Sequence, residues 1–165
     1  MTPAMILRDA EPADRAAWDG LWQGFLDYYE TTLDPAITDF TWTRLMDKAS
    51  PMKMRLAVQG ADVRVSDVRV SDIRASGILG FAIHQHHPST WVMGDDCYLE
   101  DLFVAPQARG QGIGRALIAD LQVLARARGW NRLYWHTNEA NATARKLYDS
   151  FVRSDGHIRY RLNLT

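Results

Sequence analysis

The stretch RGQGIGRAL, from Arg109 to Leu117, sets three glycines at alternate positions directly before an apolar helical pattern. Gly110, Gly112 and Gly114 leave the backbone bare where a strand turns into a helix, so a bulky anionic group can come close. A dinucleotide fingerprint requires G-x-G-x-x-G. Counting from Gly110 places Arg115 in the last position, and counting from Gly112 places Leu117 there. An ATP-binding G-x-x-x-x-G-K-[ST] loop fails as well, because Arg115 occupies its sixth position. What remains is a glycine turn feeding a helix N-terminus, whose N–H groups attract an anion, with Arg109 and Arg115 adding charge. A tight turn alone would require neither three glycines nor two arginines.

The rest of the chain supplies the elements around that turn. At 165 residues it fits one domain, 1–165, with a proper hydrophobic core. A strand is expected from Met5 to Arg8. Pro12 and Ala13 then open a helix on which Trp18, Leu21, Trp22, Phe25 and Leu26 recur at helical spacing. A second helix runs around Thr38 to Ala49, ended by Ser50-Pro51. Strands follow at Met54 to Gln59, Gly77 to Gln85 and Cys97 to Val104. After the glycine turn comes a helix with Leu117, Leu121 and Leu124 on one face, stopped by Gly129. Leu133 to Thr137 reads as a strand, Asn141 to Ser150 as a helix, and His157 to Asn163 alternates as a closing strand. This order gives a mixed α/β, or α+β, sheet.

One segment breaks the regularity. VRVSDVRVSDIRASG, from Val63 to Gly77, repeats a five-residue unit three times. An odd repeat cannot make one amphipathic strand, because Val63 and Val65 would face one side and Val68 and Val70 the other. It reads as an expanded connection bending at its Ser-Asp pairs, with a docking arm built on Arg64, Arg69 and Arg74 as the alternative.

Composition excludes several classes. The net charge is −1, too near zero for a nucleic-acid binder. The charge is unevenly spread: residues 1–50 hold 4 basic and 9 acidic side chains, residues 106–165 hold 10 and 4. An acidic first part and a basic last part suit ligands, or parts of one reaction, of opposite charge. A single cysteine, Cys97, excludes an intrachain disulfide and a cysteine-cluster zinc site. His84, His86 and His87 lack a spaced carboxylate or cysteine partner, so no metal is expected there. His136 and Cys97 read as strand residues, and Trp18 and Trp22 as a helix face. No apolar run approaches a membrane span, and no signal-peptide core opens the chain. A cytoplasmic protein with no membrane partner is the expectation.

The segment YLEDLFVAPQARGQGIGRAL resembles motif A of the GNAT superfamily of N-acetyltransferases, whose core is Q/R-x-x-G-x-G/A; here that core is Arg109, Gly112 and Gly114. Downstream, NEANATARKLYDSF resembles the family's second cofactor segment, an asparagine followed seven residues later by a tyrosine: Asn141 and Tyr148. The small histone acetyltransferase-like and diamine acetyltransferase groups are the most similar. The resemblance implies a mostly antiparallel central sheet with a splayed fourth strand and helices on both faces. It also implies acetyl-CoA as co-substrate and acetyl transfer to a primary amine. A non-catalytic acetyl-CoA-binding module on the same fold is the alternative. One departure is the sequence YDSFVRSDG, which lacks the glycine that many members carry just after the tyrosine helix.

Roles follow from the resemblance, and the chemistry agrees with them. Amides of Gln111, Gly112, Ile113, Gly114 and Arg115, with Gly110 and Arg109, would cradle the pyrophosphate. Backbone groups of Leu102, Phe103 and Val104 would pair with the pantetheine arm like an added strand, and one N–H there would polarise the thioester carbonyl. Asn141 is either an N-cap, a cofactor contact or both. An alkyl amine near pKa ~10 is mostly protonated at neutral pH, so a proton acceptor is needed, and Glu100 is the candidate. Tyr148 matches the family's proton donor to the departing thiolate, although a core tyrosine beside Ala144, Leu147 and Phe151 is the plain alternative. Asp101 points away from Glu100 in an unbroken strand; the family's bulge would bring both carboxylates to the acceptor. Tyr28 and Tyr29, near Asp27, Glu30 and Asp34, offer π faces and charge to an ammonium group. The expected acceptor is a small-molecule or peptide amine that carries positive charge. The chain is expected to form a homodimer.

Overall fold

Alternation of apolar and polar side chains lets a strand bury one face, and in this chain it does so against helices on either side of a sheet. The structure, a computed structural model, describes residues 5–60 and 77–164. The pentad repeat from Val63 to Gly77 lies outside the described residues except for Gly77. Two stretches, Met1–Trp135 and His136–Thr165, form separate compact units and are described in turn.

In the first unit, β1 (Met5–Asp9), β2 (Met52–Gln59), β3 (Ile78–Pro88), β4 (Asp95–Val104) and β5 (Leu133–Trp135) form one five-stranded sheet in chain order. Pairing is antiparallel from β1 to β4, and β5 joins β4 in parallel. The helices are α1 (Arg15–Tyr28), α2 (Pro35–Met46) and α3 (Ile113–Ala127). The second unit contains α4 (Ala142–Tyr148).

Trp18 and Trp22 are core residues, as their helical spacing predicts. Trp18 is fully buried; it stacks on Trp22 at 5.2 Å between centroids and meets Trp42 of α2 at 5.1 Å. Trp22 donates from Nε1 to Thr38 Oγ1 (3.1 Å), which fixes α2 to α1. Met54, Leu56 and Val58 of β2, Phe81 and Ile83 of β3, and Phe103 of β4 close this cluster from the sheet side. Each ring of this size contributes roughly 2–3 kcal/mol by leaving water. On the other face, α3 buries Ile113, Leu117, Ile118 and Leu121. Arg55 of β2 grips Asp120 of α3 there (Nε to Oδ2 2.6 Å) and reaches Asp9 of β1 (2.7 Å). Gly80 lets β3 and β4 approach: a Cβ at that position would lie 2.7 Å from the Phe103 carbonyl oxygen.

Most element boundaries shift by a few residues from the sequence reading, and three of the differences have a clear cause. Helix α2 begins at Pro35 rather than near Thr38, because Asp34 caps it by accepting from the Ala36 N–H (2.9 Å) and proline suits the first helical position. Strand β5 stops at Trp135. Residues 157–163 form no strand among the described residues: alternation specifies a strand only where a sheet is there to receive it.

His84 lies on the α3 face, buried, with Nδ1 3.9 Å from Cys97 Sγ and Nε2 without a hydrogen-bond partner among the described residues. Burial pushes its pKa down to about 4 and pushes the Cys97 thiol up to about 12. An unfolded histidine binds its proton near pH 6.5, so stability falls as pH drops from about 6.5 through about 4. Chemical denaturation from pH 7 to pH 4 should therefore cost the wild type on the order of 2–3 kcal/mol more than a His84→Leu variant. Parallel pH profiles for the two proteins would show that His84 is not held neutral.

Candidate active site

Strand β4 is irregular where the sequence places its carboxylates. Ile83 pairs with Asp101, but the next residue of β3, His84, pairs with Leu99, so Glu100 has no residue opposite it. This bulge reverses the facing of β4 between Leu99 and Asp101. Leu99 lies buried beside His84 on the α3 side, whereas Asp101 shares the Ile83 face, toward α1. Both carboxylates thereby serve one face. Glu100 is exposed and accepts from Gln85 Nε2 (3.0 Å), and Gln85 lies two residues beyond Ile83 on the same side of β3.

Asp101 is half-buried and unusual in charge. Burial, and next the negative charge of Glu100, push its carboxyl up to about 7. Tyr29 stands close enough that the Asp101 charge adds to the burial and the Tyr28 contribution that raise its own hydroxyl. An aromatic stack holds it there: Tyr29 rests on Phe25 at 5.0 Å, and Phe25 meets Phe103 edge-on at 6.1 Å. Tyr28 packs against Tyr29 at 5.1 Å, and both rings remain exposed. Asp27 is held by Gln23 (2.8 Å), and Asp34 is spent on the α2 cap.

The same sheet face continues into residues that the sequence reading passed over. Gln85 pairs with Tyr98 across β3 and β4, and Tyr98 pairs with Tyr134 of β5, their rings 5.1 Å apart. His87 Nε2 lies 2.7 Å from the Tyr134 hydroxyl. The row is polar and aromatic beyond the reach of the Trp18 core. Its only sequence signal is the Gln85–His87 alternation at the end of β3, and the cross-strand pairing that assembles it is not visible in the sequence. The three histidines separate: His84 is buried, His86 bonds Asp95 (2.6 Å) and stacks on Trp130, and His87 joins the tyrosine row. No group of three or more metal-ligating side chains occurs among the described residues.

The glycine turn lies at the start of α3, where the sequence reading expects an anion cradle. Gly110 (φ 76°) and Gly112 (φ 80°) are both left-handed, and a Cβ on either would meet nothing within 4 Å. Glycine is therefore required by backbone conformation, and the space around the turn is open. Gly112 caps α3, its carbonyl accepting from Ala116 (2.9 Å); Ile113, Gly114 and Arg115 form the first turn, where N–H groups have no acceptor within the helix. Arg109 braces the turn, donating from Nε to the Val104 carbonyl (3.2 Å) with its guanidinium 5.6 Å from the Phe103 ring centroid. Gln111 is tied to the Gln107 carbonyl (3.3 Å).

Strand β5 ends before β4 does. Their ladder runs from Cys97–Leu133 to Leu99–Trp135 and stops, while β4 continues through Leu102, Phe103 and Val104. The backbone of Leu102, Phe103 and Val104 therefore has no β5 partner. An open left-handed glycine turn, the first turn of α3 and this unpaired strand segment would suit the pyrophosphate and pantetheine arm of acetyl-CoA.

In the second unit, Asn141 caps α4, its Oδ1 accepting from Ala144 N (3.1 Å). Tyr148 is the last residue of α4, half-buried, as are Ala144, Leu147 and Phe151. Its carbonyl accepts from Phe151 and Val152, which ends the helix where the sequence lacks the family's glycine.

Comparison with known proteins agrees with this geometry. The sequence profile of the acetyltransferase (GNAT) family matches residues 22–151. The D-amino-acid N-acetyltransferase HPA3 of Saccharomyces cerevisiae is 26% identical over 96% of this chain and 91% of that protein. A thialysine N-epsilon-acetyltransferase of Caenorhabditis elegans is 35% identical over 51% of this chain and 55% of its own length. The solved ribosomal-protein-alanine N-acetyltransferase of Brucella melitensis shares the fold, with a TM-score of 0.74 over 97% of this chain and 99% of that one at 20% identity. The chain belongs to the GNAT family and is an acetyl-CoA-dependent acetyltransferase.

Proposed function

We propose that the protein transfers the acetyl group of acetyl-CoA directly to a cationic primary amine, with the Glu100–Asp101 pair accepting the proton that the amine must lose. The observation that carries this reading is the bulge in β4, which turns both carboxylates to one face beside Tyr29. Two adjacent carboxylates on one face of the sheet attract an ammonium group, and Tyr28 and Tyr29 offer it π faces. Asp101 is the member of the pair that titrates near neutrality, which suits a general base; Glu100, exposed and held by Gln85, keeps that affinity high. Amides of Gln111 to Arg115 hold the pyrophosphate, Leu102 to Val104 pair with the pantetheine arm, and Asn141 adds a cofactor contact beyond its cap. Tyr148 supplies the proton to the departing CoA thiolate.

The names of the relatives favour a second reading of the acceptor. A D-amino acid carries a carboxylate beside its amine, so a zwitterion whose carboxylate meets an arginine is the alternative to a polyamine, a lysine side chain or an epsilon amine such as that of thialysine. Thiol release from acetyl-CoA should be measured with polyamines, lysine peptides, thialysine, D-amino acids and a neutral hydroxyl acceptor at low and high salt. Cationic amines should lead at low salt and lose ground as salt screens the acidic cleft. If zwitterionic or neutral acceptors outrun every cationic amine at low salt, the acidic cleft does not select the acceptor.

The proton acceptor has its own test. Wild-type turnover should rise through a single ionisation near pH 7, and Asp101→Asn should remove that limb and lower turnover by ~10²–10³-fold. Glu100→Gln should move the limb to lower pH, because the neighbouring charge that raises Asp101 is gone. A carboxyl held above its unfolded value costs stability as pH rises from about 4 through about 7, so Asp101→Asn should also stabilise the protein at pH 8, by on the order of 1–2 kcal/mol for a half-buried group. An unchanged profile in Asp101→Asn together with inactive Glu100→Gln would assign the base to Glu100 alone.

For the cradle, Gly112→Glu forces a side chain into a left-handed position and sets a negative charge against the pyrophosphate. Calorimetry on the folded variant should show acetyl-CoA affinity weakened by at least ~100-fold, about 2.7 kcal/mol. Unchanged affinity would remove the glycine turn from the cofactor site.

A further inference from the structure

The sheet face that turns toward α1 does not end at the carboxylates. Gln85 and His87 of β3, Tyr98 of β4 and Tyr134 of β5 continue it toward the β3–β4 turn. Tyr98 and Tyr134 pair across the strands with ring centroids 5.1 Å apart. His87 meets Tyr134 edge-on at 5.8 Å, its Nε2 2.7 Å from the hydroxyl. The three rings form one floor, in which Tyr134 is 36% exposed and Tyr98 and His87 are half-buried. Its distance from the carboxylates follows from the pairing. Ile83 stands opposite Asp101 and Gln85 opposite Tyr98, so two residues of β3, roughly 7 Å along the sheet, separate Asp101 from Tyr98. The charge beside the rings is balanced. Asp96, opposite His87 in the ladder, is buried and takes two contacts from Arg132 (2.9 and 2.5 Å), which also reaches Ser89 (2.9 Å).

We propose that this floor is a second acceptor subsite and that it takes an aromatic ring: the acceptor is an arylalkylamine, its ammonium at Glu100 and Asp101 and its ring on Tyr98 and Tyr134. The inference rests on the acetyl-transfer reading and narrows its acceptor. Three observations select a ring over a second ammonium group. A second cation calls for a carboxylate, and the one beside the rings is spent on Arg132. The guanidinium of Arg132, the more exposed partner of that pair, repels a further positive charge. The Tyr134 hydroxyl is engaged with His87, so the floor offers apolar ring faces, on which a planar uncharged group gains by burial and by offset or edge contact. Spacing agrees as well. An amine joined to a phenyl ring by two carbon atoms spans about 5–6 Å from nitrogen to ring centre, which sets the ring over Tyr98 while the nitrogen stands at the carboxylates. An unbranched alkyl amine reaches the carboxylates equally well but leaves the rings to water.

Initial rates of thiol release from acetyl-CoA with phenethylamine, butylamine and spermidine, on the wild type, Tyr134→Ala and Tyr134→Phe, test it. The wild type should favour phenethylamine over butylamine by at least ~10-fold in kcat/KM, carried by KM. Tyr134→Ala should lower that ratio at least ~5-fold, and Tyr134→Phe, which keeps the ring, should retain it. Nuclear Overhauser contacts from the phenethylamine ring should reach the ring protons of Tyr98 and Tyr134. Equal kcat/KM for phenethylamine and butylamine overturns the proposal, and so does a preference that survives in Tyr134→Ala, which places the ring elsewhere. Spermidine leading both at low salt would assign the floor to a second ammonium group; that overturns the proposal and leaves the acetyl-transfer reading intact. If no amine is acetylated, that reading fails, and the Overhauser contacts decide the subsite by themselves: present, the floor binds the ring; absent, it does not. If Tyr134→Ala does not fold, the wild-type ratio and the contacts decide the matter.

Discussion

One unopposed residue, Glu100, decides which side chains of β4 face α1 and which face α3. A strand without it would put Leu99, Asp101 and Phe103 on one side, and either an apolar leucine or a carboxylate would then stand on the wrong face. With it, Leu99 joins His84 and Cys97 in the apolar layer under α3, while Asp101 and Phe103 turn toward α1. The bulge thus reconciles two demands: a continuous core on both faces, and charged groups gathered at an open edge. It also crowds Asp101 against Glu100 in a half-buried setting, which raises its proton affinity toward neutrality. Fold and chemistry share this one irregularity.

The aromatic cluster on the α1 side supports the same site. Phe103, Phe25 and Tyr29 form a continuous contact from the sheet to the end of α1, so the ring beside Asp101 is positioned by the packed core beneath it. Charged ties hold the elements that carry this core. Arg8 grips Asp14 with two contacts of 2.7 Å where β1 leads into α1, and Arg55 links β1, β2 and α3. At the opposite end Arg132 holds the buried Asp96 carboxylate below the usual carboxylate range and sets β5 against β4. The Arg8–Asp14, Arg55–Asp120 and Arg132–Asp96 pairs are partly buried, so removing one partner would strand a charge, a larger loss than the pair's own net contribution. The glycine turn needs less support: its conformation is set by left-handed glycines and the first turn of α3, and the N–H groups it presents are backbone groups.

Much of this architecture was legible in the sequence because it follows from local rules. Helical spacing located Trp18, Trp22 and Phe25, glycine spacing located the turn at Gly110 and Gly112, and alternation located the main strands. The order of elements then limited the sheet to few topologies, and the motif around Arg109 identified the family. All of these depend on residues near one another in the chain, where the backbone period alone decides which side chains share a face.

Other features depended on contacts between segments far apart. Whether Glu100 and Asp101 diverge or converge is decided by their register against Ile83 and His84, which no period within β4 reveals. The raised affinity of Asp101 comes from burial and charge that its neighbours in space supply. The row of Gln85, Tyr98 and Tyr134 draws on three strands and exists only once they pair. Residues 157–163 show the converse: their alternation is as regular as that of any strand here, yet a strand is made by its neighbours, and a sequence pattern cannot specify where they are. The sequence determined the faces of each element; the tertiary structure decided which faces meet, because side-chain period is local while register and burial are not.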